Sequence, residues 1–167
     1  MANALTPLFE HNYWANLLLL EACSGLKEEQ LAVTIAGVYG TPAATLVHYL
    51  SGEQTYIRRL SGEEQPQSLR GDAGWPGLEA LVEHARWSGD RLRRLAETIE
   101  PATVIRESWD GVDYEIDGQV VLVQAINHST EHRAHIVTTL SAHGIALPEI
   151  DGWNWGEATG RLRPSSH

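Results

Sequence analysis

The sequence has little of what several classes of protein require. Its single cysteine, Cys23, excludes an intramolecular disulfide and gives no support for an oxidising compartment. No run of about 18 uncharged apolar residues is present, as a membrane-spanning helix would require. The N-terminus also lacks a basic segment followed by an apolar stretch. We therefore expect a soluble, cytoplasmic protein with no membrane partner.

Positive charge is also scarce. The 167 residues include 12 lysines and arginines against 22 aspartates and glutamates, which gives a formal net charge of −10. A protein that follows nucleic-acid phosphates needs a basic surface, so we expect no nucleic-acid partner. Internal repeats and low-complexity segments are absent as well. The length and the 43% hydrophobic content predict one domain over residues 1–167 with its own core.

Helical periodicity accounts for most of the chain. Apolar residues recur at helical spacing in four long segments: Leu5–Cys23, Thr41–Leu60, Leu78–Ile99 and Gln119–His143. Thr41 suits the N-cap of the second segment, and Pro42 suits its first helical position. A short turn of helix is expected over Lys27–Leu31. The stretch from Ser61 to Gly77, rich in glycine and proline, predicts a loop.

Between the third and fourth segments the periodicity changes to that of a β-strand. Apolar and polar residues alternate from Thr103 to Asp117, on either side of Asp110-Gly111. An Asp-Gly pair between two alternating runs is typical of a two-residue hairpin. The sequence therefore predicts an all-α four-helix bundle with a small β-hairpin inserted before the last long helix.

Three histidines lie on one side of the last long segment. At about 100° per residue, His128 and His132 are one turn apart, and His135 returns to nearly the same line. Apolar residues share this stripe, so the imidazoles are expected to point into the core. A neutral imidazole ligates divalent transition metals, and i, i+4 spacing allows two of them to bind one ion. The spacing favours a metal site; hydrogen-bonded interior histidines are the alternative.

A further histidine, His48, lies on the second long segment. Its helical face is made of small residues: Ala44, Ser51, Gly52 and Thr55. Small side chains around an imidazole leave room for an ion, a water or a ligand. His48 is therefore a candidate ligand, with an interior structural histidine as the alternative.

Other polar residues of the helices receive structural interpretations. Asn12 and Asn16 share the apolar stripe of the first helix, where we expect hydrogen bonds to neighbouring helices rather than a polar cavity. Glu53 and Gln54 lie further round the helix of His48, where they either contact a ligand of the site or are solvated, and we expect solvation. His84 falls beside the apolar stripe of its helix and is expected to be exposed.

Taken together, these features resemble a known family. Three motifs carry the resemblance: Asn12-Tyr13-Trp14-Ala15-Asn16, Thr45-Leu46-Val47-His48 followed by Gly52-Glu53, and His128-x-x-x-His132-Arg133. Their order and spacing are similar to those of the DinB family of four-helix-bundle metalloproteins. The resemblance covers nearly the whole chain. It implies an up-down-down-up arrangement of the helices and a homodimer.

The resemblance also implies a site and a reaction. His48, His128 and His132 would hold one divalent ion, often zinc or nickel. Members with known activity are S-transferases and an isomerase that depend on bacillithiol, mycothiol or glutathione, so a small-molecule substrate is expected. His135 stands where another polar residue is more usual in the family. The pair His132 and His135 is therefore an alternative choice of ligands.

The chemistry implied is activation of a nucleophile. Three neutral histidines leave the ion its full charge and an open position, which holds a thiol as thiolate or lowers the pKa of a water. The space beside Ala44, Ser51 and Gly52 is expected to give access to a substrate. Arg133, which flanks the ligands, either binds a carboxylate of the thiol or pairs with an acid on a neighbouring helix.

Two other classes of function remain open from the residues. The run from His128 to His132 matches H-x-x-E-H, a zinc-peptidase motif in which the glutamate, here Glu131, activates water. That mechanism also takes an acidic ligand well downstream, and little of the chain follows His132. The other class is a metal-dependent binding or stress-response protein without turnover.

Overall fold

The computed structural model describes residues 5–63, 69, 74–100 and 102–165. Within these ranges the elements are α1 (Thr6–Ser24), α2 (Glu28–Leu31), α3 (Pro42–Ser61), α4 (Leu78–Thr98), β1 (Val104–Trp109), β2 (Val112–Asp117), α5 (Gly118–Ala142) and α6 (Gly152–Ala158). The four predicted long helices and the hairpin before the last of them are confirmed. Much of the predicted loop from Ser61 to Gly77 lies outside the described residues.

The helix ends follow from local chemistry. The Thr41 hydroxyl accepts a hydrogen bond from the backbone nitrogen of Ala44 at 3.2 Å, which caps α3 as predicted. The Asp117 carboxylate accepts one from the nitrogen of Gln119 at 2.8 Å and caps α5 in the same way. Helix α3 ends where Gly62 adopts a left-handed conformation with φ of 73°.

The hairpin turns on two residues with positive φ. Asp110 has φ of 51° and Gly111 has φ of 77°, as a two-residue type I′ turn requires. The strands pair antiparallel, with Trp109 opposite Val112 next to the turn. Ile105 and Ile116, which also pair, pack against the core and attach the hairpin to the helices.

The core consists of two apolar clusters at different levels along the helices. One is built around Leu19, Leu20, Leu46, Tyr49, Leu50, Leu81, Ile136 and Leu140. The other is built around Phe9, Ile57, Leu92, Ala96, Val121, Leu122 and Ala125. Helix α3 packs against α4 and α5, and α1 packs against the same two helices. Each long helix thus contributes to both clusters.

None of the helices in the described part of the chain combines the length and the apolar character that crossing a bilayer requires. Polar side chains separate the two clusters at the middle of the bundle, where Glu53, Ser88, Ser129 and Arg133 are all buried. We call this level the polar layer. It lies beside the histidines, because Ser129 and Arg133 directly follow His128 and His132 in the sequence.

Candidate metal centre

Three histidines from two helices converge at one point. His48 comes from α3, and His128 and His132 come from α5. One ring nitrogen of each lies within 4.8 Å of the others. The Nε2 atoms of His48 and His128 are 3.0 Å apart. The structure thus brings together the three histidines that the sequence patterns singled out.

The distances fit the demands of a shared ion. Two imidazole nitrogens at about 2.0–2.1 Å from one tetrahedral ion lie roughly 3.3 Å apart, close to the separation of the two Nε2 atoms. The buried Nδ1 atoms of His128 and His132 have no hydrogen-bond partner. A set of imidazoles with this spacing and without carboxylates suits a transition metal better than calcium or magnesium, which prefer oxygen ligands.

The three imidazoles are neutral at pH 7. Burial lowers the pKa of His48 below its ordinary value. Burial lowers the pKa of His128 as well, and the neighbouring ring of His48 lowers it further. For His132, burial followed by the nearby imidazoles lowers the pKa to about 4. Each ring therefore has a free nitrogen lone pair at neutral pH, which is the form that binds metal.

Gly52 explains how α3 and α5 come close enough. A Cβ at this position would lie 2.7 Å from Cε1 and 2.9 Å from Nδ1 of His128, so the imidazole occupies the space that a side chain would take. The expectation that Gly52 leaves open access for a substrate is therefore wrong, because a ligating ring fills that space. Ser51 and Thr55 turn their hydroxyls to the carbonyl oxygens of His48 and Ser51 in their own helix.

Replacing Gly52 by alanine should weaken metal binding without unfolding the protein. The added methyl group displaces the ring of His128 from the cluster, and we expect metal affinity to fall about tenfold or more. Alanine favours a helix interior by about 1 kcal/mol over glycine, so the free energy of unfolding should be retained. Calorimetric titration with zinc and urea denaturation would measure the two effects.

The matched control is Gly152→Ala, since a Cβ there meets nothing within 4 Å. Equal zinc affinity in Gly52→Ala and Gly152→Ala would show that His128 takes no part in binding.

Tyr39 closes one side of the cluster. Its ring stacks on His48 with centroids 4.0 Å apart and planes at 18°, and it meets His132 edge-on at 5.0 Å. Tyr56 contributes a second wall, edge-on to His128 at 5.8 Å. Sequence reasoning missed Tyr39 because it lies in an irregular segment where no periodicity predicts which way a side chain points.

His135 and Glu131 lie outside the cluster. The ring centroid of His135 is 5.4 Å from that of His132, but the group of mutually close ring nitrogens comprises His48, His128 and His132. Glu131 is exposed on α5. Its charge raises the pKa of His128, an effect that ranks below the lowering caused by burial. Of the histidines on α5, the geometry favours the i, i+4 pair.

Glu53 is the centre of the polar layer. Its Oε1 accepts hydrogen bonds from Asn12 at 2.8 Å and Asn16 at 2.9 Å, both through Nδ2. The same oxygen accepts from the Ser129 hydroxyl at 3.0 Å, and Oε2 accepts from the Ser88 hydroxyl at 2.5 Å. Glu53 is fully buried, so the expectation that it is solvated is wrong. The donors come from three other helices, which no pattern within α3 could reveal.

Arg133 completes the polar layer. Its Nη1 donates hydrogen bonds to Oδ1 of Asn12 at 2.5 Å and to Oδ1 of Asn16 at 2.7 Å. Its Nη2 donates to the Thr130 hydroxyl at 3.2 Å. The two asparagines therefore bridge Arg133 and Glu53. This confirms the prediction that they form hydrogen bonds to neighbouring helices. Among the described residues, no acid lies within ion-pair distance of Arg133, so the predicted direct pair is wrong.

Two further polar residues are buried against expectation. The side chain of His84 is buried, and its Nε2 is 2.9 Å from the carbonyl oxygen of Leu50. It lies three residues after Leu81 and four before Ser88, so it belongs to a buried stripe wider than the apolar residues alone define. Gln54 is also buried, next to Glu53. Both predictions of exposure are wrong because the facing helices cover these positions.

Comparison with known proteins agrees with the fold and with the family resemblance. The model of the DinB family matches residues 1–161 of the chain. Among solved structures, the chain is similar to the crystal structure of a DinB-like protein from Bacillus cereus ATCC 10987. The TM-score is 0.63 at 16% sequence identity, over 84% of this chain and 91% of that one, a likeness that bears on the fold. No curated protein sequence matches the chain.

Proposed function

This chain belongs to the DinB family, and from that premise we propose that it is a metal-dependent transferase that joins a small thiol to an electrophilic substrate. His48, His128 and His132 would hold one divalent ion, for which zinc and nickel are the candidates because imidazole suits both. The observation that carries the proposal is the convergence of three neutral imidazoles within 4.8 Å of one another.

When bound, the ion would supply a Lewis-acidic position at which a thiol loses its proton or the pKa of a water falls toward neutrality. The chain itself offers no thiolate. Its single cysteine, Cys23, is buried, and burial raises the pKa of the thiol to about 12. A thiol nucleophile must therefore come from a small molecule such as bacillithiol, mycothiol or glutathione.

The remaining residues position the site. Tyr39 lies flat on His48 and keeps water from that face of the imidazole. Arg133, bonded to α1 through two asparagines, is adjacent to His132 in the sequence, and Ser129, bonded to Glu53, is adjacent to His128. Arg133 is buried, so a role in binding the carboxylate of a thiol from solvent is not supported.

The proposal also includes the finer architecture. We propose that the four long helices run up-down-down-up within a single domain. Support comes from the two core clusters, because α1 and α5 pass from the cluster of Phe9 to that of Leu140, while α3 and α4 pass the opposite way. A homodimer in the cytoplasm is proposed from the family alone.

The test is thiol consumption by the purified, metal-loaded protein. With 1-chloro-2,4-dinitrobenzene as electrophile, we expect at least one of the three thiols to react about tenfold or more above the uncatalysed rate. The His132→Ala variant should show no acceleration. Acceleration retained in that variant, or absent with all three thiols in wild-type protein that holds stoichiometric metal, would reject the transferase.

The same preparations separate the alternatives. Stoichiometric metal without turnover would favour a binding or stress-response protein. Hydrolysis of a peptide or ester without thiol, abolished by Glu131→Gln, would favour the peptidase-like reaction that the H-x-x-E-H run suggests. The exposed position of Glu131 gives that alternative no support.

A further inference from the structure

A cleft opens directly beside His48. It has a volume of about 460 Å³ and is lined chiefly by Tyr39, Ala44, Val47, His48 and Trp75. This volume lies in the usual range for small-molecule sites, roughly 300–1,000 Å³. We call it the aromatic cleft. Because His48 forms part of its wall, a molecule held there lies next to the histidine cluster.

The lining of the aromatic cleft is mostly apolar. Two aromatic side chains are exposed in it, Tyr39 by 52% and Trp75 by 38%. The Thr41 hydroxyl, also in the wall, already accepts a hydrogen bond from the backbone of Ala44. Exposed rings of this kind bind planar apolar groups by offset or edge-to-face contact. Among the described residues, the lining of the cleft includes no lysine or arginine.

The surroundings disfavour anions further. An adjoining groove of about 400 Å³ shares Thr41, Ala43 and Trp75 with the aromatic cleft and continues to the side chains of Glu28 and Glu29. Both carboxylates are exposed, so solvent and salt screen the repulsion that they exert on an anion. Their negative potential adds to that of the net charge of −10. In the metal-free site, these carboxylates favour a molecule that is uncharged or carries a positive group toward the groove.

We propose that the aromatic cleft binds an uncharged aromatic ring of the electrophilic substrate and holds it against His48. The inference rests on the proposed function for the identity of the ring as an electrophile. Binding of the ring itself depends only on the lining residues, so it can be tested without any thiol or turnover.

The probe is 2,4-dinitrotoluene, a neutral ring without a leaving group, added to the metal-free protein so that no bound ion attracts a charged probe. The indole N–H signals of the 6 tryptophans can be followed by nuclear magnetic resonance, and the Trp75 signal is the one missing from Trp75→Phe. We expect this signal to shift in a saturable way. 2,4-Dinitrobenzoate, a ring of similar size with a negative charge, should bind about tenfold more weakly or worse.

The blocking variant is Ala44→Phe. Ala44 is exposed on α3, one turn before His48, so a benzyl group there fills the cleft without entering the core. We expect it to weaken binding of 2,4-dinitrotoluene about tenfold or more. The matched control, Ala142→Phe, puts the same group at an exposed position at the end of α5 and should bind within about twofold of wild type.

An unmoved Trp75 signal, equal binding by Ala44→Phe and wild type, or equal binding of the anionic ring would each overturn the inference. Ring binding with these properties but no thiol turnover would leave the cleft in place and reject the transferase. Thiol turnover in a protein that fails the ring test would reject the proposed role of the cleft and leave the transferase in place.

Discussion

The His48→Ala variant is expected to lose stoichiometric zinc or nickel binding while keeping its helical fold. His48 supplies the ligand from α3, and without it the ion has two imidazoles from one helix turn. Loss of a partner outside the ligand set already costs about 10–100-fold in affinity, so removal of a ligand should cost about 100-fold or more. Metal analysis of the purified protein and competition titration with a chelator would measure the loss.

The comparison with His135→Ala makes this test specific. His135 is also on α5 and its ring centroid is 5.4 Å from that of His132, but it lies outside the close group. We expect its replacement to change affinity by less than about threefold. The cluster is wrong as a site if His135→Ala loses the metal and His48→Ala retains it. Thermal unfolding with and without zinc gives an independent readout, since bound metal stabilises the native state.

The Arg133→Met variant is expected to be the most destabilised single substitution in the polar layer. Methionine fills similar space but leaves the Oδ1 atoms of Asn12 and Asn16 without their donor, and it leaves Glu53 buried without a compensating charge. Breaking a buried charge arrangement of this kind costs about 3–5 kcal/mol in the free energy of unfolding. That is a large part of the roughly 5–15 kcal/mol that stabilises a typical domain. Urea denaturation would measure it.

A matched control is available on the hairpin. Arg106 forms an ion pair with Glu115 at 2.8 Å, but the two side chains are 76% and 66% exposed. Arg106→Met should therefore change the free energy of unfolding by about 1 kcal/mol or less. If the two variants were equally stable, the polar layer would contribute nothing to stability beyond a solvated ion pair.

Local periodicity was sufficient to predict the four long helices and the hairpin, whereas the short helix α6 was not predicted. The spacing of apolar residues located the four long helices, and Asp110-Gly111 located the hairpin because its turn needs positive φ. The i, i+4 spacing of His128 and His132 placed both rings on one face of one helix. Each of these features depends on residues close in the sequence, which is why no tertiary information was needed.

Contacts between helices were not predictable in the same way. Glu53 was expected in solvent because a carboxylate is costly to bury, and only the hydrogen bonds that reach it from other helices remove that cost. His48 was selected for the small residues around it, yet at Gly52 the small size serves to admit the ring of His128. No sequence pattern indicated that Tyr39 would contact the histidines.

The polar layer also determines how the helices align along their axes. If α5 slid past α3 by one turn, about 5.4 Å, apolar side chains would still meet apolar ones over much of the contact. Ser129, however, would lose Glu53, and Arg133 would lose the asparagines of α1, leaving buried charges unpaired. A purely apolar interface tolerates such a shift, whereas the interface with the polar layer satisfies its buried charges in one alignment. In that alignment, His48 on α3 lies at the same height along the bundle as His128 and His132 on α5.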